Sequence, residues 1–403
     1  MRSTLRVILS AALSLSIVLS PAARAQSKTF VYTANTLDSS ISIYTFNSST
    51  GALVPSGGSP FKNDTPGYLA SALSGKYLVV SGGTFPGFGL QTFSINHGNG
   101  DLKPAHTYGS IGVIAYSGTQ IATDATGRTL YAEGEIPGSI HIAVLDPLRV
   151  NSDGSLTRLG NFFAFPQGTG FGSAQGALAV DPKGRWVFAI QPFGSDENLF
   201  AITRNSDGSL GSAVSTVNIT QQKCVNNIVL PHIAIDPQGK NLFLSCDSIP
   251  STDFTGLQAY AINQETGSLS RDNSFASHLK FEALSSDRNG WRIFATSEES
   301  NVIEVFHFDR DTHAIATLNG GVTYKTGKQP NGVVVDTKNR FVYVTNSSFC
   351  FPKEVASGSC TNDSSSNISG YSFNYTKGTL IPVHGSPFAS GAGTRGMIFV
   401  TVP

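Results

Sequence analysis

The sequence predicts an all-β ring of seven four-stranded blades, a seven-bladed β-propeller, on three observations. One phrase of residues recurs seven times. No helical period intervenes between the copies. The two ends of the chain read as complementary parts of a single copy.

The phrase is a polar turn with Gly or Asn, an aromatic-rich apolar run, a polar loop and a second, alternating run. The first copy begins bare, at Phe30-Val31-Tyr32-Thr33-Ala34-Asn35. The turns and runs that follow begin at Ser74-Gly75-Lys76-Tyr77, Thr126-Gly127-Arg128-Thr129 and Asp181-Pro182-Lys183-Gly184. Three more begin at Asp236-Pro237-Gln238-Gly239, Arg288-Asn289-Gly290-Trp291 and Asp336-Thr337-Lys338-Asn339. The spacing, roughly 47 to 57 residues, falls in the range of propeller repeats.

Each copy holds four strand-like runs, clearest around Lys240. Ile233 to Ile235 is short and wholly apolar, as a strand buried on both faces should be, and is strand A. Asn241 to Cys246 is strand B, Leu257 to Asn263 alternates as strand C, and Ser268 to Arg271 opens strand D. Between them Pro fixes φ and Gly accepts positive φ, so Asp-Pro-Gln-Gly and Glu-Thr-Gly read as turns. Four-stranded units in tandem are blades. The chain starts on a strand B and finishes on Gly396-Met397-Ile398-Phe399-Val400-Thr401, which reads as a strand A. Pairing the two would leave no open sheet edge. Gly58-Ser59-Pro60-Phe61 and Gly385-Ser386-Pro387-Phe388 mark matching places in the first and last copies. An open solenoid is the alternative.

Residues 1–25 read as a signal peptide and 26–403 as the propeller. Two arginines precede the apolar run Val7 to Leu19, and Ala23-Arg24-Ala25 fits signal peptidase. The run is short for a span of about 20 residues, so no membrane span is expected, and an uncleaved anchor is the alternative. Export to the periplasm or beyond follows. Charged residues are 13% of the chain and the formal net charge is zero, which excludes a basic nucleic-acid-binding surface. A monomer is expected. Four cysteines in an oxidising compartment favour two disulfides. Cys224 with Cys246 and Cys350 with Cys360 is the favoured pairing of the three that four cysteines permit. No pair has zinc-site spacing.

In a propeller strand A lines the channel. The segment entering A and the B–C loop share one face, because B runs antiparallel to A. That face collects the long loops Ser81 to Gly89, Glu133 to Ser139, Gln191 to Asn198, Asp247 to Gly256 and Ser347 to Asn367. Tyr68, Gln120, Ala177, His232, Glu282, Asn331 and Arg395 lead the seven A strands. Glu133, Glu135, Asp247, Glu298 and Glu299 come from the B–C side. A base and a cation at one concave mouth suit hydrolysis. His232 or Glu298 would activate water and Arg395 would stabilise the oxyanion. Tyr68, Gln120, Glu282 and Asn331 would bind substrate. No cofactor is required; a divalent cation on the mouth carboxylates is the open option. Gly391-x-Gly393-x-x-Gly396 leads into a strand, so it cannot cradle a dinucleotide.

Phe30-Val31-Tyr32-Thr33-Ala34-Asn35, Pro231-His232-Ile233-Ala234-Ile235-Asp236-Pro237-Gln238-Gly239 and Phe341-Val342-Tyr343-Val344-Thr345-Asn346 resemble the lactonase-type seven-bladed propellers, the 6-phosphogluconolactonase-like or YVTN-type family. The segment from Ser49 to Phe61 does so too. The resemblance covers essentially the whole mature chain and implies a propeller with His, Arg and Glu at the channel mouth. His232 matches a family Pro-His before strand A, and Glu298 sits where the family often has Asn-Glu after strand B. Two positions depart. Phe281-Glu282-Ala283 stands where Arg-His is common, and Gln329-Pro330-Asn331-Gly332 where Pro-Arg is common. A phosphorylated or carboxylated substrate would want those arginines, so 6-phosphogluconolactone is not the expected substrate. The resemblance implies a hydrolase of a lactone or similar cyclic ester. The alternative is a non-catalytic propeller that binds a cell-surface ligand.

Overall fold

The computed structural model describes residues 27–82, 89–111, 114–115, 120–136, 142–169, 177–191, 197–222, 224, 232–246, 254–347 and 366–403. The proposed signal peptide therefore lies outside the described residues, as do Asp247, Cys350 and Cys360. Every regular element among the described residues is a strand, and the strands form seven antiparallel sheets. No described helix is long and apolar enough to cross a membrane.

Blade 1 joins the two ends of the chain. Its strands A to D are Thr394–Val402, Lys28–Asn35, Ser40–Phe46 and Leu53–Pro55. Phe30 lies opposite Val400 and Tyr32 opposite Ile398. The A strands of the other blades, in order, are Pro66–Ala72, Ile121–Thr123, Leu178–Val180, Ile233–Ile235, Ala283–Ser286 and Pro330–Val335. Each touches the next, and Thr394–Val402 lies between the second and the seventh, so the ring is closed. In blade 5, A and B have the bounds read from sequence, C is Gly256–Ile262 and D runs on as Leu269–Ala276.

The core is divided among the seven seams. Strand B is apolar on both faces because each face meets a different neighbour. In blade 7, Phe341 and Tyr343 pack toward blade 1 while Val342 and Val344 pack toward blade 6. The last seam, blade 7 against blade 1, has its own apolar cluster like the other six, so closure carries a full share of the burial free energy.

Repeated turn chemistry explains the repeated phrase. Asp124, Asp181, Asp236, Asp287 and Asp336 end strand A, are buried, and accept backbone N–H groups from the far side of the A–B turn. An Asn or Asp directly follows strand C in six blades and is its last residue, Asn374, in blade 7. Asn47 shows why: its Oδ1 takes the N–H groups of Ser49 and Thr50 while its carbonyl takes that of Gly51. Gly51 has φ +77°, and a Cβ there would lie 2.4 Å from the Phe341 ring of blade 7. Both constraints require glycine. The Tyr343 hydroxyl donates to the Gly51 carbonyl, as Tyr32 does to Gly100 at 2.7 Å and Tyr131 to Gly208 at 2.9 Å. A buried phenol on strand B thus ties each of these blades to the C–D turn of the next.

The paired Gly-Ser-Pro-Phe segments also have one structural job. Strand D breaks there, Ser59 Oγ accepts the Ile43 N–H at 3.0 Å, and Ser386 Oγ accepts the Gly370 N–H at 2.9 Å. Phe61 and Phe388 then rejoin strand C.

Candidate functional site

The residues that lead the A strands are set by the pairing of A with B. His232 donates its N–H to Ser245 Oγ at 2.8 Å and accepts the Ser245 N–H at 3.0 Å. Tyr68 lies opposite Ser81 and donates its N–H to Ser81 Oγ at 3.3 Å. The A–B pairing bulges at Gly67, Asn331 and Gly396, the last with φ +54°, where strands of blades 2, 7 and 1 reach the mouth. Ser245 is followed by Cys246, whose disulfide to Cys224 closes a 22-residue separation and braces the strand end that holds His232. This is the Cys224–Cys246 pair expected from sequence.

Four of the expected residues converge. His232 comes from blade 5 and Arg395 from blade 1, yet the guanidinium acts on the imidazole. Removal from bulk water, then the Arg395 charge, push the His232 pKa down to about 4. The imidazole is therefore neutral at pH 7. Burial raises the Tyr68 phenol above its ordinary value, with Arg395 opposing, Glu133 reinforcing, and a hydrogen bond from Gln120 opposing. Tyr68 thus stays protonated, a neutral donor beside a cation. Gln120 also accepts the Leu178 N–H at 3.0 Å, so one amide locks blades 2, 3 and 4 together.

Glu133 acts on Tyr68 and so belongs with these residues. It is not in a B–C loop: strand B of blade 3 runs Thr129–Ile136, and Glu133 is buried within it, its N–H donating to the Gln120 carbonyl at 3.1 Å. A carboxylate directly after the apolar run Leu130-Tyr131-Ala132 was the available signal.

Two of the expected substrate contacts also have structural duties. Glu282 is buried and its Oε2 accepts the Glu298 N–H at 2.7 Å, shaping the B–C turn of blade 6. Glu298 is held to Glu282 through its backbone N–H, and Glu299 pairs with Lys280 at 3.5 Å. Asn331 donates Nδ2 to the Thr394 carbonyl at 3.2 Å and accepts from Thr345 Oγ1 at 2.9 Å, across the seam between blades 7 and 1. Among the described residues no group of three His, Cys, Asp or Glu side chains is disposed to hold a metal ion.

Neither a protein-family model nor a curated protein matches the sequence. Solved structures do match the fold. The periplasmic gluconolactonase of Pseudomonas aeruginosa aligns with a TM-score of 0.67 at 15% identity, covering 94% of this chain and 100% of that one. A candidate 6-phosphogluconolactonase from Bacteroides uniformis gives 0.68 at 16%, covering 93% and 99%. A protein from Lactobacillus plantarum gives 0.69 at 15%, covering 93% and 99%. The chain therefore has the architecture of the lactonase-type propellers over its whole described length.

Proposed function

We propose that this protein is an exported hydrolase that opens a lactone or similar cyclic ester at the channel mouth. The observation that carries the reading is the convergence of a neutral His232 with Arg395 and the protonated Tyr68. His232 takes a proton from water as the water oxygen bonds to the ester carbonyl carbon. The oxyanion that forms is met by the Arg395 guanidinium and the Tyr68 hydroxyl. The ring C–O bond then breaks, the alkoxide takes the proton back from the imidazolium, and a hydroxy acid leaves. Glu133 would offset the Arg395 charge and Gln120 would fix the phenol. Export is supported by the Cys224–Cys246 disulfide, which persists in oxidising compartments, and by the periplasmic P. aeruginosa neighbour.

A panel of γ- and δ-lactones tests this by pH-stat titration. His232→Ala should lower kcat/KM by about 100-fold or more, with an unchanged melting curve. Glu298→Ala should leave it within a few-fold if His232 is the base, because its backbone N–H bond to Glu282 survives the substitution; a loss as large as that of His232→Ala would assign the base role to Glu298. No turnover on any lactone sinks the reading. A binding rather than catalytic propeller is the second reading, favoured by the structural commitment of Glu282 and Asn331. Saturable binding of a cell-surface glycan without turnover would establish it.

A further inference from the structure

The face opposite the channel mouth carries a cavity of about 760 Å³ between blades 2, 3 and 4. Its walls are A–B and C–D turns, so its backbone is held by the turn chemistry described above. Four cations line it, Arg128, Arg149, Lys183 and Arg204, against two carboxylates, Asp124 and Asp207. In a chain of zero formal charge this is a local excess of positive charge.

The carboxylates are already engaged. Asp124 pairs with Arg204 at 2.8 Å and also accepts the Arg128 N–H at 3.0 Å. Arg204 donates Nε to the Tyr131 hydroxyl at 2.7 Å, so it is a strut between blades 3 and 4. Hydrogen bonds from Ser209 hold the Asp207 carboxyl below its ordinary range, with Arg149 adding a weaker pull. No carboxylate of the cavity wall pairs with Arg128 or Lys183; the Lys183 ammonium donates to Gln264 Oε1 of blade 5 at 3.2 Å and keeps two further N–H donors. Ser206 adds a hydroxyl to the lining, Thr126 a hydroxyl oxygen whose proton goes to Asp124 and which can therefore only accept, and Pro182 an apolar surface.

We infer that this cavity binds a hydroxylated dianion of up to about disaccharide size, its charged groups on Arg128 and Lys183 and its hydroxyls on Thr126 and Ser206. The size suits a small-molecule site of roughly 300–1,000 Å³, and guanidinium pairing gives charge-assisted bonds to carboxylate or phosphate. The shared chemistry is the dianion; a uronic-acid disaccharide and a sugar phosphate are its two sources. The site stands apart from the channel mouth and does not depend on the lactonase reading.

Calorimetric titration of the full chain at low salt, with digalacturonate, glucose 6-phosphate, inorganic phosphate and neutral maltose, tests it. At least one sugar anion should bind, more tightly than inorganic phosphate, and maltose should not. Arg128→Ala with Lys183→Ala should weaken that binding by about tenfold or more; the one inter-blade bond lost, Lys183 to Gln264, is solvent-exposed, so the melting temperature should fall by little. Which of the two sugars binds identifies the source. Binding of maltose, phosphate binding as tight as either sugar, no binding at all, or unchanged affinity in the double variant would each overturn the proposal.

Discussion

On the turn face the same bonds are made again and again. Five buried aspartates close A–B turns, and Asn or Asp at the end of strand C closes the C–D turns. Among the described residues of the loop face, the side-chain contacts differ from blade to blade, apart from the Ser Oγ that takes the leading N–H in blades 2 and 5. One disulfide stands behind His232, one amide joins three blades at Gln120, one carboxylate shapes a turn at Glu282, and Asn331 crosses the closing seam. Repetition marks what every blade needs in order to fold. Its absence marks positions free to differ from blade to blade, and there the seven leading residues run Arg, Tyr, Gln, Ala, His, Glu and Asn. The difference makes one face the scaffold and the other the place for chemistry.

The largest expected effect tests the scaffold half of this contrast. Gly51→Val places a branched side chain at φ +77° and drives it into the Phe341 ring across the closing seam. The cost should be about 3–5 kcal/mol, read as a fall in the denaturation midpoint. Any molecules that remain folded should keep their activity at the mouth. A loss under about 1 kcal/mol would mean that the seam between blades 7 and 1 is not closed as described.

The loop-face counterpart is smaller. Replacing Cys224 and Cys246 together by Ser releases a 22-residue separation, which should cost about 3 kcal/mol. Activity should suffer more than after an equal loss of stability elsewhere, because Cys246 adjoins the Ser245 that fixes His232. If kcat is unaffected while stability falls, the disulfide is scaffold only, and the two faces differ less than the contrast requires.

The same contrast explains what could be read in the sequence. Asp236-Pro237-Gln238-Gly239 announces a turn because the bonds are made within five residues. Six such announcements and the bare first copy gave the blade count and, with the unpaired first and last strands, the closure. Side chains whose partners lie in another blade could not be read this way. Tyr343 and Gly51 are 292 positions apart, and nothing near Asn331 foretells that Thr394 and Thr345 would occupy its amide. Alignment of the copies put His232 and Arg395 on one face. It could not show that they would act on one another, or that Glu282 would be spent on the neighbouring turn.

The subtlest consequence concerns pH. The folded-state pKa of His232, about 4, lies below its ordinary 6.5. As pH falls through that interval the unfolded chain takes up the proton first, so the native state loses stability between about 6.5 and about 4. The contribution is fully present above 6.5. Glu304 acts in the opposite sense: burial in strand C of blade 6 raises its pKa from 4.5 to about 7, so its contribution is lost as pH rises through that range. The two slopes oppose each other where they overlap. Arg395→Met removes the second cause of the His232 shift and leaves the first. The imidazole pKa, followed by NMR, should therefore rise part of the way toward 6.5, and the acid limb of kcat/KM should move up with it. The stability change should stay below about 1 kcal/mol. An imidazole that still titrates near 4 in this variant would show that Arg395 does not act on it across the channel, and the mouth would lose the pairing that distinguishes it from the turn face.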